Sequence, residues 1–327
     1  MQSTSSRDSR GVNVRKAATL QGARQPTPSD RQCADESGSI DGRATIVRTV
    51  LLTALAMVAF AANSILCRLA LHDPTIDAAS FGTIRLLSGA VALAFIARLM
   101  PGAGASASRP DWWAAAMLFL YVACFSFAYL YLAAGTGALI LFGAVQLTMF
   151  VAGMRSGERF RPLAWAGFAM AVGGLVFLLA PGVTAPSPVG GALMTVAGIA
   201  WGLYSLRGRG VANPLRATAA NFARAVPFAL AVSAVWATDF RVSAVGITLA
   251  AASGAITSGI GYVIWYAALR GLTALGAATV QLSVPVIAAI GGTLLISESI
   301  TLRLVVASAA TLGGVALVLG QKRTRHG

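Results

Sequence analysis

Two arginines stand inside stretches of otherwise apolar residues, where a charge is costly. Arg85 lies about seven residues from one end of its stretch, and Arg224 about nine residues from one end of its own. An ionised side chain in hydrocarbon costs about 2.5–3.5 kcal/mol even on the lenient insertion scale, which makes it a functional hypothesis. A guanidinium stays protonated and binds carboxylates through two parallel hydrogen bonds. The two arginines therefore predict an anion site, unless each is only a structural tie that reaches the interface or caps helix carbonyls.

Amide and aromatic side chains in the neighbouring stretches are predicted to complete such a site. A buried amide needs a hydrogen-bond partner, and a flat ring packs the apolar part of a solute. Each has an ordinary alternative, because amides also join helices, tyrosine and tryptophan anchor at the membrane interface, and a proline can simply kink a helix. The predicted substrate-binding residues besides the two arginines are Asn63, Tyr129, Gln146, Trp201, Tyr204, Trp265, Gln281 and Pro285.

Acidic residues, histidine and lysine are missing from the middle of every apolar stretch. A proton-coupled pump or a cation exporter usually needs a buried carboxylate, so a uniporter or exchanger with a positive cavity is favoured. The sequence has no P-loop, no Gly-x-Ser-x-Gly elbow and no metal-binding helix motif, and its three cysteines have no metal-ligand spacing. We therefore predict neither catalytic nor metal-binding residues, no cofactor and no enzymatic activity.

The composition is that of a membrane protein. Of the 327 residues, 57% are hydrophobic and 11% are charged, whereas soluble domains carry roughly a quarter charged residues. A membrane-spanning helix needs about 20 apolar residues, and backbone in lipid must satisfy its own hydrogen bonds. The sequence thus predicts an all-α polytopic membrane protein with ten transmembrane helices, near residues 49–70, 78–99, 112–133, 136–154, 162–180, 189–206, 215–237, 243–268, 272–296 and 301–320.

The basic residues alternate between the two sides of this ten-helix arrangement. Twenty of the 25 lysines and arginines fall on the side of the N-terminus, and three fall on the other side. Because basic loops stay inside, both termini are predicted to be cytoplasmic. The net charge of +14 therefore reflects membrane topology, and we expect no nucleic-acid partner.

The two halves of the chain share residues at a nearly constant offset of 139 or 140. Each half has five predicted helices, an odd number, so the second half must be inverted relative to the first, as in alternating-access transporters. The predicted organisation is a disordered cytoplasmic tail at 1–45, five-helix repeats at 46–180 and 188–320, and a basic cytoplasmic tail at 321–327. The first half is about five residues shorter before Glu158, which predicts a fourth helix one turn shorter than the ninth. The matched pairs are Arg68 with Arg207, Arg85 with Arg224, Glu158 with Glu298, and Gly173-Gly174 with Gly313-Gly314.

Three motifs in the second half resemble the EamA-type family of the drug/metabolite transporter superfamily. They are Gln-Leu-Ser-Val-Pro at 281–285, Ser-Glu-Ser at 297–299 and Leu-Gly-Gly-Val-Ala-Leu-Val-Leu at 312–319. The resemblance implies a permease of a bacterial inner membrane that moves small metabolites, commonly in export. The sequence departs from the family pattern in its first half, which lacks a proline matching Pro285.

Together these features predict an ATP-independent transporter that exports amino acids or other carboxylate-bearing solutes. The alternatives are a carrier of hydrophobic drugs or nucleotide sugars, an intramembrane enzyme of lipid metabolism, and a purely structural protein. The predicted partners are a small-molecule substrate and the lipid bilayer, and a homodimer is left open.

Overall fold

The computed structural model describes residues 28–73, 75–100, 110–157, 160–208, 211, 213–272, 277 and 279–320, with side chains from residue 45 onward. By contacts the chain divides into two units, residues 1–44 and 45–327, and the described part of the first is helical backbone. The ten described helices are α1 (Pro28–His72), α2 (Ala78–Leu99), α3 (Trp112–Ala128), α4 (Ala134–Arg155), α5 (Pro162–Leu179), α6 (Pro188–Arg207), α7 (Pro214–Val235), α8 (Ala244–Leu269), α9 (Ser283–Ile296) and α10 (Leu302–Gly320).

Eight of these ten helices are long and apolar enough to cross a membrane. The other two, α3 with 17 residues and α9 with 14, are apolar but shorter. The ranges described above contain no strand, and Ile76 and Val242 form an isolated antiparallel bridge. The chain is therefore an all-helical, multi-pass membrane protein, as its composition predicts.

Prolines and side-chain caps determine where several helices begin. Pro162, Pro188 and Pro214 occupy the first turns of α5, α6 and α7, where the missing N–H would have no partner in the helix anyway. At the start of α2 the Ser80 N–H donates to Asp77 Oδ1 at 2.8 Å, which satisfies one of the free backbone donors. Equivalent caps at α3, α6, α7 and α8 come from Asp111, Ser187, Asn213 and Ser243.

Three helix pairs with a constant spacing contribute much of the packing. α2 packs on α7, α4 on α9 and α5 on α10, so each of these helices contacts the one five positions later. In the α5–α10 pair a Cβ at Gly174 would lie 2.5 Å from Thr311 Oγ1, so the absence of a side chain lets the helices approach closely. This pairing is compatible with a two-fold relation between the halves, and the inversion of the two repeats at 46–180 and 188–320 stays a prediction.

The prediction that the fourth helix is shorter than the ninth is wrong. α4 has 22 residues and α9 has 14. The predicted segment 272–296 is interrupted by a turn at Gln281, and α9 begins only after it. Pro285 has no N–H to donate to the Gln281 carbonyl four residues earlier, which instead accepts from the Val284 N–H at 3.1 Å. The proline thus breaks the ninth helix.

The first helix begins earlier than the sequence predicts. Residues 28–44 belong to the predicted disordered tail, but their backbone is helical. Pro28 suits the first helical position, and the next proline in the chain is Pro74. Residues 1–27 of that tail and the predicted basic tail at 321–327 lie outside the described residues.

Candidate functional site

A cavity of about 800 Å³ lies among the helices of the second unit and reaches the surface at one end. Exposed residues Ser156, Arg207 and Gly208 line its mouth, and we call this side of the bundle the open end. On α1 the lining stops at Ser64, and on α4 it begins only at Leu141. The opposite side, where α1 ends and α4 begins, contributes no described lining residue, and we call it the closed end.

Most of the side chains selected from the sequence meet at this cavity. Eight of the ten predicted residues line it: Asn63, Arg85, Gln146, Trp201, Tyr204, Arg224, Trp265 and Gln281. The remaining two, Tyr129 and Pro285, are not among its lining residues. The predicted set thus falls largely on one concave surface, which is where small-molecule sites usually lie.

Arg85 is the most deeply buried charge of the described residues, with 1% of its surface exposed. Its Nη2 donates to the hydroxyl of Tyr121 at 2.8 Å and to Ser258 Oγ at 3.4 Å. Its Nε and Nη1 have no hydrogen-bond partner in the described part of the chain. A buried, unsatisfied charged donor is expensive, so these two nitrogens, with three N–H groups between them, call for an acceptor.

Aromatic rings surround this guanidinium and continue along the cavity wall. The Arg85 Cζ lies 5.1 Å from the ring centre of Tyr121 and 4.9 Å from that of Phe125, within the range of cation–π attraction. Trp201 then packs against Tyr121, with ring centres 4.9 Å apart, and stacks on Tyr262 at 5.5 Å. Together with Tyr204, stacked on Trp201 at 5.4 Å, these rings form an aromatic wall beside the charge.

Asn63 connects three hydroxyl groups at the inner end of the cavity by hydrogen bonds. Its Oδ1 accepts from Ser253 Oγ at 2.7 Å and from Thr257 Oγ1 at 3.3 Å, and its Nδ2 donates to the Tyr121 hydroxyl at 3.4 Å. Both hydroxyl groups come from one segment of α8, Ser253–Ile260, which is wound as a π-helix. We call it the π segment, and such segments occur often at functional sites.

The π segment approaches the backbone of α2 very closely. A Cβ at Gly254 would overlap the carbonyl oxygen of Arg85 and the hydroxyl of Ser88. Glycine is therefore required at this position for the two helices to meet. The contact places Ser258 within hydrogen-bond distance of the Arg85 guanidinium.

The other lining residues with polar side chains lie nearer the open end or across the cavity. Gln146 on α4 is buried with 8% exposure. Gln281 lies in the turn that precedes α9 and is partly exposed. Arg224, in the middle of α7, is also partly exposed and makes no hydrogen bond or ion pair with any residue that the structure describes.

Tyr129 and Pro285 are packed elsewhere for local reasons. Tyr129 follows the last residue of α3, is fully buried, and donates from its hydroxyl to the Ala134 carbonyl at 3.3 Å. Its ring occupies the space that the missing side chain of Gly137 leaves on α4. Pro285 is the third residue of α9 and is buried there. Both residues shape the ends of helices.

Tyr121 is a central residue of the site that the sequence analysis did not select. Its hydroxyl contacts both Arg85 and Asn63, and its ring lies against Trp201. The signal was present, because a tyrosine in the middle of an apolar segment needs a partner for its hydroxyl. Ser253, Thr257 and Ser258 carried no comparable signal, since serine and threonine commonly bond within their own helix.

One acidic residue, Asp111, is found among the described lining residues, and it is paired at the mouth. Its Oδ2 accepts from Arg207 Nε at 2.9 Å and its Oδ1 from the Ala114 N–H at 3.0 Å. Partial burial raises the pKa of the Asp111 carboxyl, but the bonds from Ala114 and Arg207 outweigh it and hold the pKa below its ordinary value. Asp111 is thus engaged with Arg207, which leaves Arg85 and Arg224 uncompensated in the cavity.

The closed end is held by a second ion pair. Arg68 Nε donates to Glu298 Oε1 at 2.9 Å, and Arg68 Nη1 donates to the Tyr129 carbonyl at 2.9 Å. The other carboxylate oxygen of Glu298 accepts from the Ala134 N–H at 2.8 Å, where α4 begins without a side-chain cap of its own. This network joins α1, α3 and α4 to the chain preceding α10, on the side that the cavity does not reach.

Comparison with known proteins agrees with this picture. The model of the EamA-like transporter family matches residues 189–320, which is the second predicted repeat. An uncharacterized protein of Pseudomonas aeruginosa is 52% identical over 279 residues, covering 85% of this chain and 96% of that protein. A solved crystal structure with 22% identity covers 84% of this chain and 98% of its own, with a TM-score of 0.58, and it supports the fold alone. The chain belongs to the EamA-like transporter family, within the drug/metabolite transporter superfamily, whose members are membrane transporters of small solutes.

Proposed function

We propose that this transporter moves small organic solutes that carry a carboxylate, amino acids among them, by alternating access and without ATP. The observation that supports this solute class most directly is Arg85. This residue is 1% exposed, lines the cavity, and finds no partner for Nε and Nη1 among the residues that the structure describes. A carboxylate would satisfy these nitrogens, because its two oxygens accept from a guanidinium in parallel.

The rest of the cavity suits the remainder of such a solute. Trp201, Tyr204 and Tyr262 offer apolar surface next to the charge, and Gln146 and Gln281 offer amide groups that both donate and accept. A neutral hydrophobic drug would use the aromatic wall but would leave the guanidinium unpaired in a desolvated site. The buried charge therefore favours an anion over a neutral or cationic solute.

We also propose that the open end faces the cytoplasm of a bacterial inner membrane, with both termini inside. Arg155, Arg207 and Arg216 lie at that end and belong to the side that carries twenty of the basic residues. A cavity open to the cytoplasm is ready to load a solute for export. Thiol labelling of Val183→Cys from outside and of Ser156→Cys from inside tests this orientation, in a background without native cysteines; the reverse pattern contradicts it.

The solute class is tested by transport into sealed vesicles that contain the purified protein. Radiolabelled amino acids and short carboxylates are compared with a quaternary ammonium cation and a neutral apolar compound. Loss of a hydrogen-bonded charge contact costs about 2–5 kcal/mol, so Arg85→Ala should weaken apparent affinity for the carboxylate at least about thirtyfold. Rates are normalised to the amount of folded protein.

Arg216→Ala is the matched control, because Arg216 is an exposed arginine on α7 outside the cavity lining. It should transport at the parental rate. Parental rates in Arg85→Ala, or a clear preference of the parent for the cationic compound, would overturn the proposed solute class. A fall in protein level with unchanged transport per molecule would make Arg85 a structural residue.

A further inference from the structure

Arg224 is the second uncompensated charge of the cavity, and it stands apart from Arg85. It lies ten residues after the start of α7, which is ~15 Å along the helix. It lines the same cavity and makes no ion pair or hydrogen bond with any residue that the structure describes. An arginine at this depth of a bundle with no protein partner has the same need for an anion as Arg85.

The packing of α2 against α7 gives the spacing of the two arginines along the bundle. The helices are antiparallel, since Thr83 Oγ1 lies 2.8 Å from Ser233 Oγ near the closed end and Gly89 contacts Phe222 further along. By the first contact Arg224 lies seven residues beyond the level of Arg85, and by the second it lies two residues beyond. At 1.5 Å per residue the Arg224 backbone is therefore roughly 3–10 Å nearer the open end. The two charges are therefore at different depths of one cavity.

The acidic residues that the structure describes in the cavity lining do not balance these charges. Asp111 is the one acid of the described lining, and both of its oxygens are bonded, to Arg207 and to the start of α3. Two guanidiniums that share a cavity with low-dielectric walls repel each other and raise the local concentration of anions. A solute with one negative charge neutralises only one of them.

We infer that the transported solute carries two anionic groups and is a dicarboxylate. One carboxylate binds Arg85 at the bottom of the cavity, and the other binds Arg224 nearer the open end, while Trp201 and Tyr262 pack against the carbon chain between them. Arg224 is then the residue that selects a dianion over a monoanion. This inference rests on the proposed function, because it requires the carboxylate at Arg85.

Equilibrium binding to the purified protein tests this selectivity. The probes are succinate, glutarate and adipate, each compared with the monocarboxylate of equal chain length: butyrate, valerate and hexanoate. Quenching of tryptophan fluorescence reports binding, since Trp201 and Trp265 line the cavity. In the parent, at least one dicarboxylate should bind about tenfold more tightly than its monocarboxylate, a smaller factor than at Arg85 because Arg224 is partly exposed and its charge contact is screened by water.

Single substitutions assign the two subsites. Arg224→Gln should reduce the ratio of the two dissociation constants to about one while the monocarboxylate constant stays unchanged. Arg85→Gln should weaken both probes. Arg216→Gln, which removes an exposed charge from the same helix outside the cavity, should leave the ratio as in the parent. A purely structural role of Arg224 would weaken both probes equally or change only the protein yield.

The outcomes separate this inference from the proposed function. If monocarboxylates bind through Arg85 and no dicarboxylate binds more tightly, the solute is a monoanion and only this inference fails. If Arg224→Gln weakens both probes equally, Arg224 does not select the second charge and the inference also fails. If the parent binds neither class of probe while a cationic or neutral compound binds, the proposed function fails as well.

Discussion

The two ends of the helix bundle use the same chemistry and differ in burial. At each end an arginine in the last turns of a helix, Arg68 of α1 or Arg207 of α6, donates from Nε to a carboxylate at 2.9 Å. The second oxygen of that carboxylate accepts from a backbone N–H at a helix start, at 2.8 Å for Glu298 and 3.0 Å for Asp111. At the closed end the side chains of Arg68 and Glu298 are 15% and 13% exposed. At the open end those of Arg207 and Asp111 are 59% and 31% exposed.

Burial determines what each pair contributes. A buried pair is desolvated, so removal of one partner leaves an uncompensated charge and costs far more than removal from an exposed pair. Both pairs connect distant segments, since Arg68 of α1 meets the chain before α10 and Arg207 of α6 meets the start of α3. The comparison indicates that the ion pair at the closed end holds its helices together more strongly than the ion pair at the mouth of the cavity.

The largest expected effect is on stability, from Glu298→Gln. This change leaves Arg68 without its counter-charge and weakens the cap of α4, so the free energy of unfolding should fall by about 3 kcal/mol. Denaturant unfolding in detergent measures it. The double variant Arg68→Met, Glu298→Leu should lose less than the sum of the two single variants, because the pair acts as a unit. A free energy within 1 kcal/mol of the parent would show that burial is not what distinguishes the two ends.

The second largest effect is expected on access to the cavity from the closed end. Ser64→Cys places a thiol in the lining one turn from Arg68, in a background that lacks the native cysteines. With Glu298→Gln added, a membrane-impermeant thiol reagent applied from the side of the closed end should react severalfold faster, because the ion pair that holds the helices of that end together is weakened. Asp111→Asn added instead should leave that rate unchanged. Equal rates in all three variants would argue against the sealing role of the pair.

A smaller effect is expected from Asp111→Asn on stability. Exposed pairs contribute about 0–1 kcal/mol, and asparagine retains an oxygen that can cap the helix. The loss should shrink further as the salt concentration rises, because exposed charges are screened. Unfolding curves at low and high ionic strength measure both effects. If the free energy of unfolding fell as much as in Glu298→Gln, the two ion pairs would contribute equally and the comparison would be wrong.

The smallest effect is the pH dependence of the open-end pair. The pKa of Asp111 is lower in the folded protein than its ordinary value of about 3.8, so ionised Asp111 stabilises the fold above that pH and loses this contribution as the pH falls through the folded-state pKa. The difference in unfolding midpoint between the parent and Asp111→Asn should therefore be constant from pH 7 to 5 and shrink below about pH 4. If the difference in unfolding midpoint grew as the pH fell, the lowered pKa of Asp111 would be contradicted.

Those features of the fold that depend on local chemistry were predictable from the sequence. Pro162 and Pro188 mark helix starts within one residue of the prediction, and Arg85 and Arg224 stand out because charges are rare in apolar segments. The start of α1 was missed, since polar residues after Pro28 are compatible with a helix although they cannot bury a core.

The site was less predictable where it depends on contacts between distant segments. Tyr121 acquires its role only because Arg85 and Asn63, on two other helices, point at its hydroxyl. Tyr129 has the same residue type but lies at a helix end, where it folds against Gly137. Nothing in the residues Ser253–Ile260 signals a π-helix, and the close approach of Gly254 to α2 is equally a contact between distant segments.

The π segment stands directly before the aromatic residues of α8. Tyr262, Trp265 and Tyr266 follow it in the chain, and all three line the cavity. A π winding that moves along a helix shifts the register of the residues it passes by one, which in an α-helix is a turn of about 100° and a rise of about 1.5 Å. Movement of this winding past residues 262–266 would thus turn the three rings relative to the cavity while the rest of α8 keeps its place.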